Sequence, residues 1–361
     1  MTIFVPFDAD TMPLSVDSRD IECVTFNNVD HWLKRPPSDV KETLLVAWTP
    51  RENVRNFVET FRKRYDCRYV VHMEDNEPLI TATNLGCSID ELGQLPLKLL
   101  NEKIPCYSKL SHPVYFKKFV ADAYGATALI DSLFSITHCP SNRLVFWPGA
   151  AVPFFESGAI DYPYRRSLGL KDSELVLAYT GNLHMSNQLE VRSLYLATVI
   201  LNRRGVKTKL LRTGDDYITV FPEPIEEVHQ YIVNLGKLRS VEEVARVLSA
   251  ADILVQPGRS DVFNDYRFPS KLPEFFATGR PVLLPNTNLG RFVKDDIDCV
   301  LLKRGDAVEI ADKIVSLHRD PDTRLRLAVA SRQFAVTHFS WPRISEKVLS
   351  FYTRILTTSN N

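Results

Sequence analysis

Short apolar runs alternate with amphipathic helical patterns along most of the chain, which predicts parallel β-sheets covered by helices on both faces. In the first half, apolar side chains recur at helical spacing in 52–64 and 109–124, and we predict helices there. The strands predicted in this half are 2–7, 22–26, 43–48, 69–72, 128–130 and 144–146.

The second half has the clearer α/β pattern. Its strands are predicted at 175–179, 208–211, 228–235, 253–256, 282–284 and 300–302. Its helices are predicted at 188–203, 240–250, 306–317, 322–337 and 341–352.

Turn residues at 147–155 and a polar stretch at 161–166 interrupt the pattern and predict a linker. The predicted fold class is therefore α/β with two Rossmann-like, doubly wound domains. Their predicted bounds are 1–163 and 164–340, followed by a closing helix at 341–361.

Composition is consistent with two globular domains. A chain of 361 residues is long enough for two cores of about 150 to 200 residues each. Hydrophobic residues make up 45% and charged residues 24%, so we do not expect disorder. The 44 basic and 44 acidic residues balance, which argues against a nucleic-acid-binding protein that works by neutralising phosphates.

The six cysteines lie far apart, with no C-x-x-C pair and no histidine at metal-ligand spacing. We therefore expect a cytoplasmic, reducing compartment and no metal site. The sequence has no segment with the pattern of a secretion signal or the apolar length of a membrane-spanning helix. Peripheral contact with the inner face of a membrane remains open.

The most informative segment is 268–284, which reads FPSKLPEFFATGRPVLL. Ser270 is expected to cap a helix, and the free backbone N–H groups of its first turn, together with Lys271, would attract an anion. Glu274 lies one turn further along, and Gly279 ends the helix before the next strand. This arrangement is typical of a site that holds a phosphate and a sugar.

The segment resembles the nucleotide-sugar segment of group 1 (family 4) glycosyltransferases of GT-B architecture, and the resemblance is strongest over 175–352. It implies two domains facing a central cleft, with a last helix that crosses back to the first domain. It also implies transfer of a sugar from a nucleoside diphosphate sugar to a hydroxyl acceptor such as a glycan, a lipid-linked sugar or a small molecule. In this family, transfer usually proceeds with retention and without a required metal or cofactor, and the equivalent of Glu274 holds the donor ribose. Ser270 is predicted to contribute to donor binding as well.

The loop after the strand 175–179 contains Gly181, which allows a phosphate to approach the backbone closely. Members of the family usually carry an arginine and a lysine in this loop, and this chain has neither. Gly181 and Asn182 are still predicted to bind the donor, with help from Ser186. A tight turn before a helix is the alternative.

Lys237 lies in a turn between a predicted strand and a predicted helix, where the family contacts the nucleobase largely through backbone groups. We predict that Lys237 contributes to donor binding. A solvated turn is the alternative.

The segment 258–267 departs from the family, because Tyr266 replaces the glutamate that usually stands eight positions before Glu274. That glutamate normally contacts the transferred sugar, so Tyr266 and its neighbour Asp265 become candidate donor contacts. Arg267 and Lys271 would supply the missing cations and are predicted to be catalytic. The alternative for Lys271 is an ion pair with Glu274 on an exposed helix face.

In the first half, the strand 69–72 leads into an acidic segment, 74–77. Ligands bind beyond the carboxyl ends of strands in doubly wound sheets. Glu74 and Asp75 are therefore predicted to bind the acceptor hydroxyl or to take its proton, and the alternative is a solvated acidic turn. His112 is a further candidate for this region.

Three signatures are missing from the sequence: G-x-G-x-x-G, the P-loop and G-x-S-x-G. Their absence removes the main support for dinucleotide oxidoreductases, P-loop NTPases and the simplest hydrolases. Two alternative functions remain within the same fold. One is a nucleotide-sugar 2-epimerase or phosphorylase, and the other is a non-catalytic module that binds a glycan, a nucleotide or a partner protein.

Overall fold

The computed structural model describes residues 1–6, 21–28, 43–223 and 225–357. The chain divides into two compact units, Met1–Phe146 with Val348–Asn361 (unit 1) and Trp147–Lys347 (unit 2). Both contain parallel strands with intervening helices, so the predicted α/β class is confirmed. The domain bounds at 163 and 340 stay predictions.

Unit 1 has a parallel sheet with the order β3-β4-β5-β6 in its described part, and a separate parallel pair, β1-β2. The strands are β1 Thr2–Val5, β2 Glu22–Thr25, β3 Leu44–Trp48, β4 Arg68–Met73, β5 Gly125–Ala128 and β6 Arg143–Val145. The register places Trp48 beside His72 and His72 beside Thr127. The predicted strand 2–7 extends to Phe7, which lies outside the described residues.

The helices described in unit 1 are α1 Glu52–Arg64, α2 Glu77–Leu85, α3 Ile89–Gln94, α4 Leu97–Lys103 and α5 Tyr115–Ala121. The predicted helix 109–124 is wrong in its first turns. The carbonyls of Ser108 and Leu110 accept the first N–H groups of α1, so they are not used within a helix of their own. Pro113 has no N–H to donate to a preceding helical turn. Buried His112 uses Nδ1 to accept the N–H groups of Val114 and Tyr115 at the start of α5.

Unit 2 contains a parallel sheet with the order β12-β11-β10-β7-β8-β9. Its strands are β7 Leu175–Thr180, β8 Thr208–Thr213, β9 Ile232–Asn234, β10 Ile253–Val255, β11 Val282–Pro285 and β12 Val300–Leu302. The strand order reverses between β7 and β10, and ligands of doubly wound sheets bind outside the carboxyl ends at such a point.

The helices described in unit 2 are α6 Val152–Phe155, α7 Tyr162–Ser167, α8 Gln188–Arg203, α9 Glu226–His229, α10 Val241–Ser249, α11 Leu272–Thr278, α12 Ala307–Arg319 and α13 Pro321–His338. The last helix, α14 Trp341–Thr357, begins in unit 2, and its residues from Val348 onwards belong to unit 1. Short 3₁₀ segments lie at Phe26–Asn28, Asp131–Ser135, Asn264–Tyr266 and Asn288–Arg291. The predicted strand 228–235 is wrong at its start, where α9 lies. None of the described helices is long and apolar enough to cross a membrane.

Two close approaches between loops hold the carboxyl edge of the unit 2 sheet together. A Cβ on Gly214 would lie 2.5 Å from the backbone carbonyl of Gly181, and a Cβ on Gly305 would lie 1.9 Å from the carbonyl oxygen of Gly258. Neither backbone group can move without moving its loop. Glycine is therefore required at both positions for packing as well as for the positive φ.

We expect Gly305→Ala to lower the free energy of unfolding by about 3 kcal/mol, because the new methyl group meets a backbone oxygen. Gly236→Ala is the matched control, since Gly236 has nearly the same φ (63° against 65°) and open space around a Cβ. That change should cost about 1 kcal/mol, the penalty of the left-handed backbone alone. Urea denaturation measures both values, and equal losses would contradict the packing argument.

Candidate functional site

The candidate site lies at the carboxyl edge of the unit 2 sheet, where Lys271 meets the end of β7. The Lys271 ammonium lies 4.4 Å from the centroid of the Tyr179 ring and donates to the Tyr179 hydroxyl at 3.2 Å. A Cβ on Gly181 would lie 2.4 Å from Lys271 Nζ. The structure therefore brings together Gly181 and Lys271, which are 90 residues apart in sequence, at the point where the strand order reverses.

The start of α11 differs from the prediction. Ser270 is exposed and does not cap the helix, because Lys271 occupies the N-cap position and α11 has no side-chain cap. The N–H of Leu272 is used by the carbonyl of Pro269, and Pro273 has none. At most one amide of the first three helix residues, that of Glu274, remains for an anion. Lys271 is thus the main source of positive charge here.

Glu274 is partly buried in the first turn of α11. Burial raises the pKa of this carboxyl to about 7, and the nearby Lys271 ammonium opposes the rise. In the described part of the chain, no ion pair joins Glu274 to Lys271. The alternative of an exposed Lys271–Glu274 pair is therefore wrong. A carboxylate held in a poorly solvated position is available to accept hydroxyl groups of a ligand.

Arg267 lies in an ion pair that the sequence did not predict. Its Nη2 donates to Glu190 Oε2 at 2.9 Å, and the other oxygen of Glu190 accepts from Asn264 Nδ2 at 2.6 Å. Burial raises the pKa of Glu190, while Arg267 lowers it. The signal for Glu190 in the sequence is weak, since it is one acid in the first turn of α8. Arg267 therefore connects the loop before α11 to α8, and its charge is already partly neutralised.

We expect Arg267→Met to lower the free energy of unfolding by about 2 kcal/mol, because it leaves Glu190 nearly buried without its cation. The two side chains are 18% and 11% exposed, which reduces the loss below that of a fully buried pair. The double variant with Glu190→Gln should recover part of the loss. A double-mutant cycle by urea denaturation tests this, and purely additive losses would contradict the pairing.

Asp265 and Tyr266, the predicted replacements for the family glutamate, lie in the 3₁₀ segment Asn264–Tyr266. The Asp265 carboxylate accepts from Ser260 Oγ at 2.8 Å and from the hydroxyl of Thr287. These contacts fix the loop after β10 against the loop after β11. Tyr266 is partly buried. Their contacts with a donor stay predictions.

The predicted donor contacts Asn182 and Lys237 lie on two other loops of the same edge. Asn182 Oδ1 accepts the N–H of Asp215 at 2.8 Å, so this side chain joins the loops after β7 and β8. Lys237 is exposed in the turn after β9. The Gly236 carbonyl before it accepts the N–H of Gly214 at 2.7 Å. Both donor-binding roles remain predictions.

The other predicted group, Glu74 and Asp75, lies in unit 1 directly after β4. Glu74 Oε1 accepts the indole N–H of Trp48 at 2.9 Å, and burial raises the pKa of Glu74. Glu77 is buried, pairs with Arg51 at 3.2 Å and accepts from Ser111 Oγ at 2.9 Å. The alternative interpretation, a solvated acidic turn, is therefore wrong for Glu77. Among the described residues, no group of three or more His, Cys, Asp or Glu side chains could hold a metal ion.

Comparison with known proteins gives a family match within unit 2. Residues 174–320 match the family described as "Glycosyl transferases group 1". The matched residues contain β7 to β12 and the whole of the Lys271 site. The resemblance read from the segment 268–284 is confirmed.

Particular relatives are distant. The D-inositol 3-phosphate glycosyltransferase of Rhodococcus erythropolis is 25% identical over 231 residues, 62% of this chain and 50% of that protein. The chain thus spans about half the length of that curated relative.

Solved structures show the same fold at lower identity. Anabaena HepE in complex with UDP matches with a TM-score of 0.65 at 13% identity, over 92% of this chain and 86% of that one. Sucrose-phosphate synthase from Thermosynechococcus elongatus matches with a TM-score of 0.61 at 15% identity, over 88% and 74%. The predicted GT-B architecture is therefore confirmed.

Proposed function

We propose that this protein is a glycosyltransferase that moves a sugar from a nucleoside diphosphate sugar to a hydroxyl acceptor, with retention and without a required metal or cofactor. The observation that carries the proposal is the Lys271 ammonium beside Gly181, at the switch point of a doubly wound sheet, with Glu274 one helical turn away. The match of residues 174–320 to the group 1 glycosyltransferase family supports it.

The chemical problem of this reaction is charge. As the bond between the anomeric carbon and the diphosphate breaks, negative charge grows on the leaving phosphate oxygens. A cation held in place before the reaction stabilises that charge without reorganisation. Lys271 meets this requirement because its hydrogen bond to Tyr179 and the aromatic ring beneath it fix the ammonium.

The lack of a side chain at Gly181 supports a close approach of the diphosphate. Gly181 has a φ of 133° and no side chain beside the ammonium, and any Cβ would displace Lys271. Glu274 would accept the ribose hydroxyls, Lys237 and its turn would face the base, and Tyr266 with Asp265 would contact the sugar. Arg267 acts indirectly in this scheme, by holding the loop before α11 through Glu190.

On the acceptor side, Glu74 is the better candidate for taking the proton of the attacking hydroxyl. Burial raises its pKa toward the range in which a carboxylate works as a base at neutral pH. Asp75 would orient the acceptor.

Binding and turnover of donors test the proposal. HepE was crystallised with UDP and with UDP-glucose, so UDP-sugars are the first donors to try, followed by GDP- and ADP-sugars. Stabilisation of the protein by a nucleotide sugar, with release of the nucleoside diphosphate when an acceptor is added, would support the transferase. Conversion of the donor to its 2-epimer without acceptor would instead indicate an epimerase.

A non-catalytic module is the second candidate, favoured by Tyr266 in place of the glutamate and by the neutralised Arg267. A module of this kind would bind a nucleotide or glycan without turnover. Failure of all three classes of nucleotide sugar to stabilise the protein would overturn the transferase proposal.

A further inference from the structure

Trp48, at the end of β3, is a large aromatic side chain in an exposed position. The residue is 52% exposed, although it stands next to the buried carboxyl end of β4. The indole N–H donates to Glu74 Oε1 at 2.9 Å. Since a hydrogen-bond acceptor lies close to the plane of the N–H group, the carboxylate is placed at the edge of the ring and leaves its face uncovered.

His72 supports the other side of the indole. The two ring centroids are 4.1 Å apart, and Phe146 follows at 5.0 Å from the imidazole. His72 is fully buried and its Nδ1 lies 2.8 Å from the Thr127 hydroxyl. Burial lowers the pKa of His72 to about 4, so the ring is neutral at pH 7 and its contact with Glu74 at 3.9 Å is not an ion pair. The indole therefore rests on a rigid support.

The backbone directly after Trp48 is strained. Thr49 is buried and has a φ of 67°, which a β-branched residue rarely adopts. Its N–H donates to the carbonyl of His72 at 3.0 Å, which holds it in this conformation. Strain of this kind persists where surrounding structure enforces it, and it is concentrated at ligand sites. Here the hydrogen bond from Thr49 to His72 holds the chain directly after Trp48 against the end of β4.

Two groups remain available to a ligand: the outer face of the indole and the second oxygen of Glu74. Among the described residues, no hydrogen bond is made to Glu74 Oε2. The charged groups that act on Glu74 are Asp75 and Arg51. The site therefore offers a flat apolar surface with a hydrogen-bond acceptor at its rim.

We propose that Trp48 and Glu74 form a saccharide-binding subsite, in which a pyranose ring lies on the indole and one of its hydroxyls donates to Glu74. A pyranose has an apolar C–H face and carries its equatorial hydroxyls at the rim, which matches the positions of the two groups. A phosphate-bearing ligand would be repelled by the carboxylate, and a cation over the indole face is the competing occupant that the experiment must exclude. Saccharide binding at this subsite does not depend on the proposed function. Only the assignment of the saccharide as the acceptor rests on it.

Saturation-transfer NMR on the full-length protein tests the subsite, with the methyl glycosides of glucose, galactose, mannose and N-acetylglucosamine as probes. At least one glycoside should receive saturation through its C–H protons. Trp48→Ala should weaken its binding about tenfold or more, because the stacking surface is lost. Trp48→Phe should keep part of the affinity, and Glu74→Gln should also weaken binding. Tyr107→Ala is the matched control, since Tyr107 is 73% exposed in the same unit and should leave binding unchanged.

Binding of UDP, measured by calorimetry on the same variants, separates this inference from the proposed function. UDP binding without any glycoside binding would overturn the subsite and leave the transferase with another acceptor. Glycoside binding that depends on Trp48 would support the subsite even if UDP did not bind. The subsite would be overturned if neither Trp48→Ala nor Glu74→Gln changed glycoside binding. It would also be overturned if choline displaced the glycosides by binding at the same two residues.

Discussion

Lys271→Met should lower kcat by about 10²- to 10³-fold, the loss expected when one preorganised charge at a leaving group is removed. The ammonium is the main cation left for the diphosphate, because Arg267 is paired with Glu190 and the loop after β7 lacks the usual basic residues. Methionine keeps the length and much of the apolar contact of the lysine stem with Tyr179. Steady-state kinetics with the best donor measures the change.

Lys303→Met is the matched control, because Lys303 is exposed on the loop after β12 at the same edge of the sheet. It should leave kcat within about twofold, as a remote exposed charge is screened by salt. Gly181→Ala adds a second test, since its Cβ would lie 2.4 Å from Lys271 Nζ. Gly181→Ala should lower kcat strongly in the natural protein and only slightly in the Lys271→Met variant. Equal kcat losses for Lys271→Met and Lys303→Met would show that Lys271 has no special role.

The sequence predicted the second half of the fold well, for identifiable reasons. The strand at 175–179 was found because β7 is buried along its whole length and reads as a continuous apolar run. The helix at 188–203 matches α8 at both ends. The region 228–235 was wrong because four residues of helix precede three residues of strand, and runs so short have no readable period.

The site was predictable where it depends on local chemistry and unpredictable where it depends on distant contacts. Gly181 and Lys271 were proposed from the glycine loop after β7 and from the start of α11, and Glu274 from the resemblance to the family; their binding roles stay predictions. The pairing of Arg267 with Glu190 joins residues 77 positions apart, and nothing in either segment points to the other. Ser270 was wrong as a cap because Lys271 occupies the N-cap position, the N–H of Leu272 is bonded to the Pro269 carbonyl and Pro273 has no N–H. The positive φ of Thr49 has no signal in its residue type.

Glu274→Gln should make the ligand-free protein more stable at pH 8 and leave its stability nearly unchanged at pH 4. Burial raises the pKa of Glu274 to about 7 in the folded protein. In the unfolded chain, a glutamate titrates near 4.3, roughly its ordinary value. Between these pH values the folded state holds one proton more than the unfolded chain, so the free energy of unfolding falls as pH rises. The full cost, about 3 kcal/mol, is present above pH 7.

Glutamine carries no charge at any pH and removes that cost. Urea denaturation of both proteins across pH 4 to 8 isolates it, because all other titrating groups are shared. Glu102→Gln, a change at an exposed carboxylate on α4, should show no comparable pH-dependent gain.

The same Glu274→Gln variant should bind UDP about tenfold or more weakly at pH 8, since hydrogen bonds from ribose hydroxyls to a charged acceptor are stronger than those to an amide. Affinity of the natural protein should rise with pH through 7 as Glu274 ionises, and the variant should lack that rise. A variant that is more stable but binds UDP more weakly would show that Glu274 lowers the stability of the fold and contributes to ligand binding. A variant that gains no stability at pH 8, or that binds UDP as well as the natural protein does, would contradict the assignment of Glu274 to the donor.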